Sequence, residues 1–434
     1  MKRVLLFISL LLLSTGLSQA RNHKEYIEKI KNNRLMSIVD SMAHTVATTG
    51  FRAGDGYGEV WIRDYNTFIE LSMEVHSNDI VKRNLNIFWG FQGETGEIVD
   101  GFIDIHRADL NNTNFYKYRL SKIEPGYAAH KNTVETDHEA SLIQAIYKYV
   151  KKSGDYDYLQ SVVADKRVID RMEWALEYLF TEKFDSTYGL ITGATTSDWG
   201  DVQPEHVWGV EIDENTHFAI DIYDNAMVLI AINNFIELCD DKATRKKWSA
   251  TAKMLKKNIR KHLWDDKRQK FIPHIYLNGS PFPADFDENQ IYYHGGTTMA
   301  IHAGLLTKKE IIHANQRMLE NVKNAQAQTI GLTMYPPYPT GMFKGPWMYA
   351  YGYQNGGDWT WFGGRTIQAL IKYGMIAEAY DELQPMLQRV VANNGFFEWY
   401  TPDGRPQGSG TFRGSAGVLH VAIKMLQEWA ESAE

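Results

Sequence analysis

The chain has 434 residues, a formal net charge of −7, 13% aromatic residues and one cysteine, Cys239. The mildly acidic balance lacks the basic face that nucleic acid requires. A single thiol allows no internal disulfide, so a large buried core has to hold the fold, and Cys239 itself reads as a small buried apolar residue at a helix end.

In chain order, the first element is a targeting segment. Lys2 and Arg3 precede an almost unbroken apolar run from Val4 to Leu13, and Leu17-Ser18-Gln19-Ala20 has the small residues of a cleavage site. Residues 1–20 are therefore expected to be a signal peptide for a periplasmic or secreted protein, with 21–434 as one mature domain. No cysteine follows the cleavage site to carry a lipid anchor, and no later run is long enough for a membrane span.

Apolar residues at three-to-four spacing then predict about twelve helices. The first begins near Lys24 (Ile27, Ile30, Leu35, Ile38, Val39, Met42), and the others near Asp64, Ser77, Val134, Asp155, Thr216, Asp241, Ile291, Lys308, Asp358, Gly374 and Phe412. Turn signals such as Ser153-Gly154-Asp155 and Lys372-Tyr373-Gly374 divide them. Strand-like runs are few, with Glu97–Ile105 and Lys270–Tyr276 the best. Short links join helices into pairs, while long loops rich in Gly, Asp and aromatic residues separate the pairs, at about 50–62, 93–131, 186–215, 266–290, 327–357 and 395–412. The pattern predicts an all-α ring of six helical hairpins, an (α/α)6 toroid, with function on the long-loop face.

Four segments in those loops carry candidate chemistry. In Phe396–Ala416, Glu398 lies between Phe397 and Trp399; a carboxylate among rings is costly in a core but suited to a sugar site. In Val60–Asp64, Arg63 and Asp64 supply donors and acceptors for sugar hydroxyls and Trp61 a wall, although Asp64 could equally cap a helix. Thr195–Asp201 places Asp198 and Asp201 around Trp199; a carboxyl beside an indole and a second carboxylate can hold a proton near neutrality. Tyr353–Trp361 combines Asp358 with the stacking surfaces of Trp359 and Trp361. Glu135-Thr136-Asp137-His138, the Asp221–Asn225 stretch and His294-Gly295-Gly296 read more simply as helix starts. No cluster has metal-ligand spacing, and P-loop, dinucleotide and Gly-x-Ser-x-Gly motifs are absent, so neither metal nor cofactor is expected.

These strings resemble the six-hairpin (α/α)6-barrel glycosidases: glucoamylases, trehalases, processing α-glucosidases, glycogen-debranching glucosidases and the related phosphorylases. Trp61-Ile62-Arg63-Asp64 is similar to their Trp-x-Arg-Asp substrate motif. Asp198-Trp199-Gly200-Asp201 resembles the phosphorylase Asp-Trp-x-Asp string, whose second Asp is the general acid. Asn355–Trp361 resembles the Gly-Pro-x-Trp loop of processing glucosidases, with Gly-Gly-Asp-Trp in its place, and Glu398–Ala416 resembles their base segment. The resemblance implies an exported, exo-acting glycoside hydrolase that inverts α-linked oligosaccharides. Asp201, or Asp198 in competition with it, would be the acid and Glu398 the base; Trp61, Arg63, Asp64, Trp199, Asp358, Trp359, Trp361 and Trp399 would bind substrate. A glycoside phosphorylase on the same barrel, a non-catalytic sugar-binding protein and an unsaturated uronide hydrolase are the alternatives. The expected partner is an oligosaccharide.

Overall fold

The computed structural model describes residues 23–111 and 117–433; the expected signal peptide lies outside them. Helices α1 (23–31), α2 (Arg34–Ala47), α3 (Ile62–Val75), α4 (Asn78–Gly90), α5 (His138–Ser153), α6 (Val168–Glu182) and α7 (Ile222–Leu238) make up the first half. The second half has α8 (Lys242–His262), α9 (His294–His302), α10 (Lys308–Asn324), α11 (Thr360–Lys372), α12 (Ile376–Ala392) and α13 (Arg413–Ser432). The odd-numbered helices from α3 to α13 pack each on the next, and α13 closes back on α3, giving an inner ring of six. The even-numbered helices α2 to α12 form the outer layer.

The two layers differ as their sequences require. Inner α7 is buried on almost every side, because its residues are apolar nearly all round. Outer α8 buries only Trp248, Ala252, Leu255 and Ile259, a single stripe, and turns its lysines to water. The sixth hairpin joins the two ends of the chain: α2 lies against α13. Closure of the inner ring needs a glycine, since a Cβ on Gly417 of α13 would lie 2.4 Å from Phe68 Cα and 2.5 Å from Thr67 O of α3.

The six connections at 48–61, 91–137, 183–221, 263–293, 325–359 and 393–412 each run from an outer helix to the N-terminus of an inner one. All six therefore gather on one face, as the loop pattern predicted. Within them, β1 (Val60–Trp61), β2 (Gly101–Asp104), β3 (Arg119–Leu120) and β4 (Tyr127–His130) form an antiparallel sheet in the order β1-β2-β4-β3. The predicted strand at 270–276 is instead two short pieces in separate sheets, Lys270–Phe271 and Ile275–Tyr276, with Pro273 between them.

Two helix starts differ from the periodicity. The first predicted helix is two, because the Asn33 side chain accepts from Leu35 N–H and Met36 N–H and restarts the chain as α2. The helix expected from Asp155 begins at Val168. Gly154 ends α5 in the left-handed region at φ +73°, and Asp155 then accepts from Tyr158 N–H in a short 3-10 turn.

Asp358, expected to touch sugar, is part of this framework. It is fully buried, receives Arg389 Nη1 and Nη2 at 2.8 Å each, and accepts Thr329 Oγ1 at 2.6 Å and Thr329 N–H at 3.1 Å. Its charge is spent on tying the loop before α11 to α12.

Two substitutions test this framework by urea unfolding. Gly417→Val should overpack the α3–α13 seam and destabilise by about 1–3 kcal/mol or more, lowering the midpoint at constant slope. Arg389→Ala strands the buried Asp358 charge and should cost about 3–5 kcal/mol; an unchanged midpoint would mean the pair does not hold the loop.

Candidate active site

Five of the six long loops, all but 263–293, line a cavity of about 380 Å³ at the N-termini of the inner helices. Helix N-termini favour negative charge, and Asp64, Asp100, Glu135, Asp201 and Glu398 all line it. Trp61, Arg63, Trp199, Trp359, Trp361 and Trp399 complete the set of expected residues found there.

Glu398 sits just before the short strand Trp399–Tyr400, which pairs with Pro406–Gln407. That hairpin brings Tyr57 Oη to donate to Glu398 Oε2 at 2.7 Å, and Ser409 N–H reaches the same oxygen at 3.4 Å. Both bonds go to Oε2 and neither to Oε1. Gly408, at φ +69°, leaves the room required, since a Cβ there would fall 2.4 Å from Oε2. Burial, opposed by the Tyr57 and Ser409 donors and assisted by the Asp201 charge, raises the carboxyl to about 7.

Asp201 enters from the loop before α7. Its N–H donates to Gln354 Oε1 at 3.3 Å and its C=O accepts from Asn132 Nδ2 at 3.1 Å, so the backbone is fixed from two other loops. Burial raises its carboxyl above the usual range, against the pull of the Arg63 charge. Asp198, its competitor, is not in the lining. With φ +58° at Asp198, both carboxylate oxygens turn to Gly296 N–H, at 2.9 and 3.1 Å, at the start of α9. Burial holds that carboxyl at about 8, and its role is to bind the loop to α9.

Arg63, in the first turn of α3, donates from Nε to Asp137 Oδ2 at 2.8 Å and from Nη2 to Asp137 Oδ1 at 3.2 Å, and Nη2 also pairs with Glu135. Tyr223 Oη donates to Asp137 at 2.8 Å. Burial alone would raise Asp137, but Arg63 and His138 outweigh it and leave it at about 2. Burial raises Glu135 well above its ordinary range in spite of Arg63. Neighbouring Asp64 is lifted to about 7 by burial, with Arg63 opposing.

The string at 135–138, which reads in sequence as a helix start, has another role in the fold. Asp137 makes no capping bond, and Glu135 and His138 face the cavity. His138 Nδ1 meets Lys131 Nζ at 3.1 Å and Nε2 meets Glu135. Burial, then the Lys131 charge, depress its pKa to about 4, so the ring is neutral at neutral pH. Asp100, Glu135 and His138 bring possible metal-ligating atoms within 4.8 Å of one another. Each already has a partner, however: Asp100 has His130 at 2.5 Å, Glu135 has Arg63, and His138 has Lys131. By contrast, Asp221 caps α7 as expected, accepting Asp224 N–H at 2.8 Å.

The aromatic walls have two parts. Trp199 packs edge-on against Trp359 at 4.8 Å and Trp361 at 5.2 Å, and Trp361 Nε1 donates to Thr67 Oγ1 at 2.8 Å. A second pair, Trp208 and Trp347, meets edge-to-face at 5.2 Å beside Val202 and Val210. These two, with Tyr57, Asp100 and Asn132, went unmarked by sequence reasoning. The available signal was an aromatic residue inside each long loop.

No protein-family model matches the sequence, and no curated protein does. Solved structures share the fold. A GH63 mannosylglycerate hydrolase from Thermus thermophilus, in complex with glucose, superposes with a TM-score of 0.63 at 14% identity, over 90% of this chain and 100% of that one. A rhamnosidase from Klebsiella oxytoca with rhamnose bound gives 0.60 at 12% identity, over 91% of this chain but only 64% of that one. A GH78 rhamnosidase from Bacillus sp. GL1 gives 0.60 at 14%, over 90% of this chain and 34% of that one. The chain thus shares the (α/α)6 toroid fold with these structures.

Proposed function

We propose that the protein is a glycoside hydrolase, exo-acting and inverting on α-linked oligosaccharides. The observation that carries the reading is that Asp201 and Glu398, distant in sequence, line one cavity and are both lifted by burial toward the protonation range of acid–base catalysts. Asp201 would donate its proton to the glycosidic oxygen. Glu398, with Oε2 anchored by Tyr57, would take a proton from a water through Oε1 as that water attacks the anomeric carbon. The sugar hydroxyls would bond to Asp64 and to Arg63 Nη1, which neither Glu135 nor Asp137 engages. Trp208 and Trp347 would flank the leaving group, a role suited to the flat apolar face of a sugar.

A cavity of about 380 Å³ is at the small end of ligand pockets, which span about 300–1,000 Å³. It suits the end of a chain and not its interior, which supports exo action. Phosphorolysis would call for a free cationic group, and Arg63 is already bridged to Glu135 and Asp137. The leader-like residues 1–20 support a periplasmic or secreted location.

Inversion requires a separation of roughly 6.5–9.5 Å between the two carboxyl groups. NMR of the first product from a hydrolysed glycan panel should show the β anomer; an α anomer would refute inversion. Glu398→Gln should lower kcat by about 10²–10⁴-fold with unchanged circular dichroism, and retained turnover would remove it as the base.

The pH profile offers a second check. A base held at about 7 must be deprotonated to act, so kcat/KM should fall as pH drops below about 7. Tyr57 donates to the ionised form and thereby lowers this pKa. Tyr57→Phe should shift the acid limb to higher pH; a shift downward would contradict the assignment.

A further inference from the structure

Between the outer and inner layers, α2, α3 and α13 bring together two histidines and two carboxylates. Asp40 and His44 are four apart on α2 and so share a face. His420 comes from α13 and Glu74 from near the C-terminus of α3, ten residues, or about 15 Å of helix, from Asp64.

His420 is almost wholly buried; its Nδ1 faces Asp40 Oδ1 at 2.7 Å and its Nε2 faces Glu74 Oε1 at 3.2 Å. His44 Nδ1 faces the Asp40 backbone oxygen at 2.8 Å, and its Nε2 faces Glu74 Oε2 at 2.9 Å. The rings stand 5.2 Å apart at 82°. Two ammonium groups complete the surroundings: Lys152 Nζ on Glu74 at 2.7 Å and Lys424 Nζ on Asp40 at 3.3 Å.

All four ring nitrogens thus point at oxygen acceptors. A neutral imidazole has one N–H and one lone pair, so each ring presents a lone pair to an oxygen unless a cation lies there. Two protons supply that cation in one way, and a single divalent ion supplies it in another at the same net charge. The ligand-bearing atoms of Asp40, His44 and His420 lie within 4.8 Å of one another. The cavity cluster differs on this point: His138 Nδ1 has the Lys131 ammonium as its donor, so its ring has no surplus lone pair facing oxygen.

We propose that Asp40, His44 and His420, with Glu74 beside them, form a binding site for a borderline divalent transition ion of the zinc class. Two imidazoles and carboxylates are the ligand set for such ions and not for magnesium or calcium, which take oxygen alone. The ion would fasten outer helix α2 to α13, the last helix of the inner ring, a structural staple independent of the catalytic reading.

The test uses the whole protein, stripped with chelator and dialysed. One equivalent of Co²⁺ should give visible d–d absorption, and Zn²⁺ should raise Tm by several degrees where equal Mg²⁺ or Ca²⁺ does not. His44→Gln and Asp40→Asn, both on partly exposed side chains, should abolish the absorption and the shift, and His420→Gln should do so if it folds. Neither band nor shift in the wild type would overturn the site, leaving an ordinary ion-pair network. A band that survives in both His44→Gln and Asp40→Asn would also overturn it, by placing the ion elsewhere.

Discussion

The clamp of Arg63 on Glu135 and Asp137 is the interaction on which the cavity depends. Five carboxylates line the cavity, and among the described residues Arg63 is the one guanidinium or ammonium group in the lining. Without its charge, burial would drive Asp64, Glu135 and Asp201 further toward the neutral form. With it, Asp137 is held ionised while Asp64, Asp201 and Glu398 stay raised. The same guanidinium joins the N-terminus of α3 to that of α5, so electrostatics and the position of two ring helices are set together. A lysine could not replace it, because a single ammonium cannot hold the two-point bond to Asp137 and still reach Glu135.

Much of the scaffold was legible because it follows from local rules. The three-to-four spacing marks the ring helices, and alternation of short links with long loops implies a one-sided face. Side-chain destinations were less legible. Asp198 and Asp201 occupy one four-residue string, and only the positive φ at Asp198 turns it to α9 while Asp201 meets the cavity. Asp358 follows two glycines beside a tryptophan, the local look of a sugar site, but its partner Arg389 is 31 residues away on another helix. Glu135 and His138 were hidden by the reverse effect, since acids before an amphipathic run look like caps.

The two histidine–carboxylate clusters show why residue type alone does not define a site. Both contain imidazole, carboxylate and lysine. In the cavity the ammonium donates to the ring; between α2 and α13 the ammonium groups go to the carboxylates and the rings face oxygen on both sides. Asp40 and His44 lie four apart on one helix, whereas His420, 380 residues from Asp40, joins them only when the ring closes. Closure of the toroid therefore makes the cluster, and the cluster in turn strengthens closure.

The charge around the cavity also bears on what it would admit. The second aromatic wall is Trp208, Trp347, Val202 and Val210, with no cation among them. The remaining charged lining is acidic apart from an already paired guanidinium. A carboxylate-bearing leaving group would be dehydrated there without compensation and repelled by the Glu398 base. A neutral sugar would instead stack on the indoles and give its hydroxyl hydrogens to the carboxylates. The arrangement of charge thus favours uncharged glycosides, and it does so through the same acids that the proposed chemistry requires.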